Sequence, residues 1–193
     1  MPIRFSRVVS MARTLHIYLT MFAFLLMTFF AVTGLTLNHE DWIAGEPRTT
    51  RRAIQLPAAL LREPDKLGIV EFLRTNGGAL GAVSTFDADS ASIHVELKGP
   101  GRQTDAEIDR KTGQATVVVE GKGLVIRLDD LHRGKDAGGS WSILIDATAV
   151  LLLIGSITGI LMWFALPRRR RLGLAALAVG TIVVAVVVIL TVP

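Results

Sequence analysis

Cysteine is absent from all 193 residues. That excludes disulfides, thiolate-ligated iron–sulfur clusters and covalent haem attachment through Cys-x-x-Cys-His, so any redox cofactor has to be held by other side chains. Acidic residues are missing from both ends of the chain: none precedes Glu40 and none follows Asp146. Aromatic residues are scarce, at 6%, and do not interleave with the basic ones as a nucleic-acid surface requires. What is abundant is hydrophobic side chain, at 50%, gathered into runs that a compact water-soluble domain does not need.

The first run, from Leu15 to Leu37, reads LHIYLTMFAFLLMTFFAVTGLTL, with His16 its only readily charged side chain. At about 1.5 Å per residue it covers roughly 34 Å, enough for a bilayer core. The stretches Ser142–Leu166 and Leu172–Val192 are also long enough. Each has to cross as a helix, because lipid offers no other partner to backbone N–H and C=O groups. A cleaved signal peptide is disfavoured for the first run, which is longer than an ordinary h-region and ends in TLNHEDW rather than a small-residue cleavage site.

Charge sets the expected orientation. Arg4, Arg7 and Arg13 precede the first span and Arg168, Arg169, Arg170 and Arg171 separate the second from the third, without an acid among them. The positive-inside rule puts both flanks in the cytoplasm, so the N-terminus is inside and the C-terminus outside a bacterial inner (cytoplasmic) membrane. The expected order is a cytoplasmic segment (1–14), span one (15–38), an extracytoplasmic domain (39–141), span two (142–166), an Arg-rich cytoplasmic loop (167–171) and span three (172–192). The domain holds every acid except Asp146 and is slightly acidic, so the net charge of +4 reports topology rather than a nucleic-acid partner.

Within the domain, EPDKLGIVEFLRTNGG predicts a short helix, with Pro64 in its first turn, an apolar stripe of Ile69, Val70 and Leu73 edged by Phe72, and Asn76-Gly77 as the stop. AVSTFDADSASIHVELKGPG predicts a hairpin in which Ile93, Val95 and Leu97 share one face, with His94 turned to solvent on the other. TDAEIDRKTGQATVVVE predicts a second pair of strands about Lys111-Thr112-Gly113, and LVIRL a further short strand. The expected order is helix, then antiparallel sheet.

The segment AEIDRKTGQATVVV resembles the PepSY module, in which an acidic residue and Thr-Gly precede an apolar strand. The flanks LHIYLTMFAFLLMTFFAVTGLTLNHEDW and LHRGKDAGGSWSILIDATAVLLLIGSITGILMWFALPRRRR extend the likeness, so that from Ala12 to Arg171 the chain resembles the PepSY-associated transmembrane family. The resemblance implies an α+β membrane protein: three transmembrane helices, with a small extracytoplasmic PepSY-like helix-plus-antiparallel-sheet domain between helices 1 and 2.

The histidines carry the chemistry. His39 closes span one and His132 precedes span two, so an antiparallel helix pair brings both to one boundary. Two neutral imidazoles make an axial set for haem b, with Arg133 and Lys135 near enough in sequence to pair with propionates and Glu40, Asp41, Asp129 or Asp130 to orient an imidazole N–H. Two other readings stand beside it. The polar residues can simply anchor the helix ends, with Trp42 and Trp141 in an aromatic belt; or His39, Glu40, Asp41 and His132 can bind a divalent iron or zinc ion. His16 lies at the other end of span one and is a candidate ligand for an inner haem, its second ligand coming from another subunit or residue type. His16, Thr20, Ala23, Met27, Ala31 and Gly34 form a small or polar stripe that should face protein, and Gly155 and Gly159 are spaced for close helix packing, with Ser156 and Thr158 to bond between helices. Asp146, in the first turns of span two, reads as interfacial, or as a carboxylate that orients a ligand or accepts a proton.

Two functions remain open. One is an electron carrier, a component of a membrane ferric reductase or electron-transfer chain, as the resemblance implies. It would take electrons from a quinol or inner-membrane donor and pass them to a ferric chelate or an extracytoplasmic redox protein such as a flavoprotein, alone or within a homo- or hetero-oligomer. The other is a membrane-tethered PepSY binding module that regulates an extracytoplasmic peptidase.

Overall fold

The computed structural model describes residues 2–40 and 45–192. In chain order the elements are α1 (Pro2–Leu37), β1 (Arg48–Gln55), α2 (Ala59–Arg62), α3 (Lys66–Phe72) running into a π-helical turn (Leu73–Gly77), β2 (Ala82–Ala88), β3 (Ser92–Gly99), β4 (Arg102–Asp109), β5 (Gln114–Gly121), α4 (Gly123–Arg133), α5 (Gly139–Phe164), a 3-10 turn (Pro167–Arg169) and α6 (Arg170–Thr191). Three helical stretches are long and apolar enough to cross a membrane: Phe5–Leu37, Gly139–Phe164 and Pro167–Thr191. The chain divides into two units, Met1–Met27 with Asp146–Pro193, and Thr28–Ile145.

In the first unit, α1 turns Ala12 and Ala23 inward while Phe22, Phe24 and Leu25 stay exposed, the surface that suits lipid. Opposite it, α5 buries Gly155 and Thr158. The predicted stripe holds here, since His16, Thr20, Ala23 and Met27 all line one groove against α5. Farther along α1 the buried residue is Thr33, whereas Ala31 is exposed. No residue of α6 is buried.

The second unit contains a five-stranded antiparallel sheet in the order β1-β5-β4-β3-β2. Period-two alternation sends Ile93, Val95 and Leu97 of β3, Ala106 and Ile108 of β4, and Ala115 and Val117 of β5 to one face, where Leu61, Ile69, Val70 and Leu73 cover them. Asp65 caps α3 by accepting the Leu67 N–H at 3.1 Å, and Gly78, at φ 73°, ends the helical run one residue after the expected stop. His94 is exposed on the opposite face, as expected.

Two expectations need correcting. A strand, β1, precedes the helices and pairs along its whole length with β5, so the order is not helix then sheet. LVIRL is not a strand: it opens α4, which the αL residue Gly134 ends. The reason α4 closes on the sheet lies at the β3–β4 turn. Gly101 has φ +65°, and a Cβ there would stand 2.6 Å from Arg127 Cβ, so only glycine lets the helix approach. The turn is tied down by the buried Asp130, whose Oδ2 accepts the Gly101 N–H at 2.9 Å.

Carboxylates also shape the other turns. Asp89 accepts N–H groups from Ala91 and Ser92, and Asp109 from Lys111 and Thr112. These main-chain donors hold both carboxyls below the ordinary aspartate value.

Candidate functional site

His132 lies in the last turn of α4, and its surroundings come from the last turns of α1. Thr33 Oγ1 donates to the Phe29 carbonyl at 2.7 Å, so its oxygen is left to accept from His132 Nδ1, also 2.7 Å away. With the hydroxyl proton assigned to that carbonyl, the imidazole carries its own proton on Nδ1 and its lone pair on Nε2. Phe30 meets the ring edge-on at 5.2 Å. Gly34 leaves the ring its space: a Cβ there would lie 3.3 Å from Cε1 and 4.0 Å from Nε2.

One turn away on both helices, the Thr36 hydroxyl donates to Asp129 Oδ1 at 2.7 Å. Asp129 is fully buried, and its Oδ2 has no hydrogen-bond partner among the described residues. The same i, i+3 spacing on α1 (Thr33, Thr36) and on α4 (Asp129, His132) makes two matched pairs. Trp141 adds an Nε1–H bond to the Leu131 carbonyl at 2.7 Å and an edge contact with Phe29.

His39 follows α1, and its Nδ1 lies 3.0 Å from the Leu35 carbonyl. A carbonyl only accepts, so here too Nδ1 carries the proton. Arg133 is already divided between Asp130 at 3.2 Å and Glu40 at 3.3 Å. Lys135 lines a cleft with Lys98, Arg102 and Lys122. Among the described residues the side chains of Asp129 and Asp130 bond to Thr36, Gly101 and Arg133, and the partner of His132 Nδ1 is Thr33. Asp41 and Trp42 lie outside the described residues. Among the described residues, no group of three or more His, Asp or Glu side chains is placed to hold a metal ion.

At the other histidine of α1, His16 Nδ1 is 3.0 Å from both the Gly155 carbonyl and Thr158 Oγ1. Thr158 spends its own proton on the carbonyls of Ile154 and Gly155, both at 2.9 Å, so it too acts as acceptor. Gly159 faces the ring, where a Cβ would be 3.6 Å from Cε1. Gly155 and Gly159 thus give close packing as expected, and Thr158 bonds between helices, whereas Ser156 bonds only to Leu152 of its own helix. A groove of about 330 Å³ opens beside His16, lined by Leu19, Ala23, Met27 and Leu151. Asp146 is exposed.

Sequence reasoning missed Thr33, Thr36 and the glycine at 34 as parts of the site. The signal available was T-G-x-T on the final turns of an apolar helix, of which only Gly34 was placed, on the stripe that faces protein.

No curated protein and no solved structure matches the chain. A family profile does, over residues 10–193, which takes in the whole sheet, the second and third apolar helices and all but the start of the first. By that match this chain belongs to the PepSY_TM-like family.

Proposed function

We propose that this protein is a haem b-binding electron carrier of a bacterial inner membrane. His39 and His132 are its outer ligand pair and His16 an inner ligand, with the sheet domain on the extracytoplasmic side.

The observation that carries the reading is the state of the three imidazoles. Each places Nδ1 on an oxygen: Leu35 carbonyl for His39, Thr33 hydroxyl for His132, Gly155 carbonyl and Thr158 hydroxyl for His16. Iron-ligating histidines use this arrangement, because donating Nδ1–H fixes the ring and makes Nε2 the more basic ligand atom. The chain has no cysteine to hold haem covalently, so histidine ligation is the route left to it, and glycines at 34 and 159 let the His132 and His16 rings pack against the helices. Bound haem b would supply a one-electron iron couple. The chain's own part is to fix the rings, exclude water with apolar helices, and present an exposed domain to a ferric chelate or a redox protein.

Purification from haem-replete cells tests this. A Soret band that disappears in His39→Ala/His132→Ala, with the variant still folded by circular dichroism, supports the carrier. Colourless wild-type protein overturns it and leaves the tethered peptidase regulator as the better account.

A further inference from the structure

Although the connection between the first two apolar helices is slightly acidic overall, its cations are not spread evenly. A cleft of about 270 Å³ is lined by Lys98, Arg102, Lys122 and Lys135 together with Asp130 and Asp136. A second, of about 420 Å³, shares Arg102 and adds Arg48 and Arg127 against Glu120.

Two of the charged groups at the first cleft are already engaged. Lys98 pairs with Glu96 at 2.9 Å, which raises the lysine above 10.5 and lowers the glutamate, and Asp130 is taken by Gly101 and Arg133. Arg48, Arg102, Lys122, Arg127 and Lys135 make no ion pair or side-chain hydrogen bond among the described residues. Five cations concentrated around two adjoining clefts repel one another, and concave walls focus their field onto an incoming anion.

The anion's character follows from what else lines the clefts and where they lie. Leu124 is 69% exposed and Leu80 is 49% exposed, both in the wall that carries Arg48, Arg102 and Arg127. A purely soluble anion has no use for exposed leucines beside the charges; an amphiphile does. The helix bearing Leu124 and Arg127 is fastened by Asp129 to Thr36, in the last turn of the first apolar helix. Lys135 stands four residues before Gly139, where the second apolar helix starts. The cations therefore cluster where two bilayer-length helices meet the domain, the depth of lipid phosphates.

We propose that this basic, leucine-edged cleft binds the phosphate headgroup of an anionic membrane phospholipid. Lys122 and Lys135 meet the phosphate from one side, Arg102 and Arg127 from the other, and Leu80 and Leu124 contact the apolar part of the lipid.

The full-length protein in neutral detergent, titrated with phosphatidylglycerol or with phosphatidylcholine of the same chains and read by native mass spectrometry, tests the assignment. Phosphatidylglycerol adducts should dominate. Because a basic residue near an anionic surface contributes enough to change affinity about fivefold, Lys122→Gln/Lys135→Gln should weaken them about thirtyfold. Both lysine side chains lack partners, so the variant keeps its fold, and Lys122→Arg/Lys135→Arg should restore binding. Equal affinity for phosphatidylcholine, an undiminished Gln variant, or inorganic phosphate displacing the lipid at equal concentration would each overturn the proposal, the last pointing to a soluble-anion site.

Discussion

Threonine at 33 and 36 is the least conspicuous part of the site and the part most exposed to test. Among the described residues Thr36 supplies the only hydrogen bond to the side chain of the fully buried Asp129, so Thr36→Val strands a carboxylate and should cost about 1–3 kcal/mol, seen as a lower melting temperature in detergent. Thr33→Val instead removes the acceptor of His132 Nδ1. If His132 ligates iron, that loss should weaken haem retention by about 10–100-fold, measured as the haem-to-protein ratio during dialysis, while a merely anchoring His132 leaves the ratio unchanged. The turn aspartates give a pH signature. Main-chain N–H groups hold Asp109 below the ordinary aspartate value of 3.8 in the folded state, so its contribution is present above that value and is lost as the pH falls through the lower, folded one. Wild-type melting temperature should therefore drop on acidification below 3.8, and Asp109→Asn should flatten that part of the profile.

Among the elements, those that follow a side-chain period could be read from the sequence, and those built on backbone or buried charge could not. Ile93, Val95 and Leu97 alternate, and β3 lies where that alternation puts it. β1 reads RTTRRAIQ, exposed at seven of its eight positions, and exists because its backbone completes the edge of β5. α4 was hidden for a different reason: its buried residues are Asp129 and Asp130, so the apolar stripe that announces a helix is missing, and the β-branched pair Val125-Ile126 suggests a strand instead. Those aspartates are buried because Thr36, Gly101 and Arg133 bond to them, and the first two lie 93 and 29 residues away in sequence. The histidine site shows the same limit. That histidines flank the apolar helices was legible; that His132 would rest on a threonine rather than a carboxylate was not. The glycine that admits α4 gives an element-scale prediction. Gly101→Ala forces a side chain into the left-handed region and into Arg127 at once, neither of which can yield without moving backbone, so it should destabilise the domain by about 1–3 kcal/mol by thermal unfolding.

For the whole molecule, the argument turns on seven arginines and an absence of cysteine. Arg4, Arg7 and Arg13 at one end and Arg168–Arg171 between the last two apolar helices are unbalanced by any acid, and short loops of that kind are retained in the cytoplasm. On the orientation proposed above, the sheet domain and the C-terminus share the opposite side. Because the chain has no cysteine of its own, single substitutions report position without background. Ser90 is exposed in the β2–β3 turn, Thr191 near the end of α6, Ser6 near the start of α1 and Leu166 between α5 and α6. In intact spheroplasts an impermeant maleimide should label Ser90→Cys and Thr191→Cys, and should reach Ser6→Cys and Leu166→Cys only after permeabilisation. Labelling of Leu166→Cys from outside would reverse the orientation. It would also move His39 and His132 to the cytoplasmic boundary, where an extracytoplasmic electron acceptor could not be served by them.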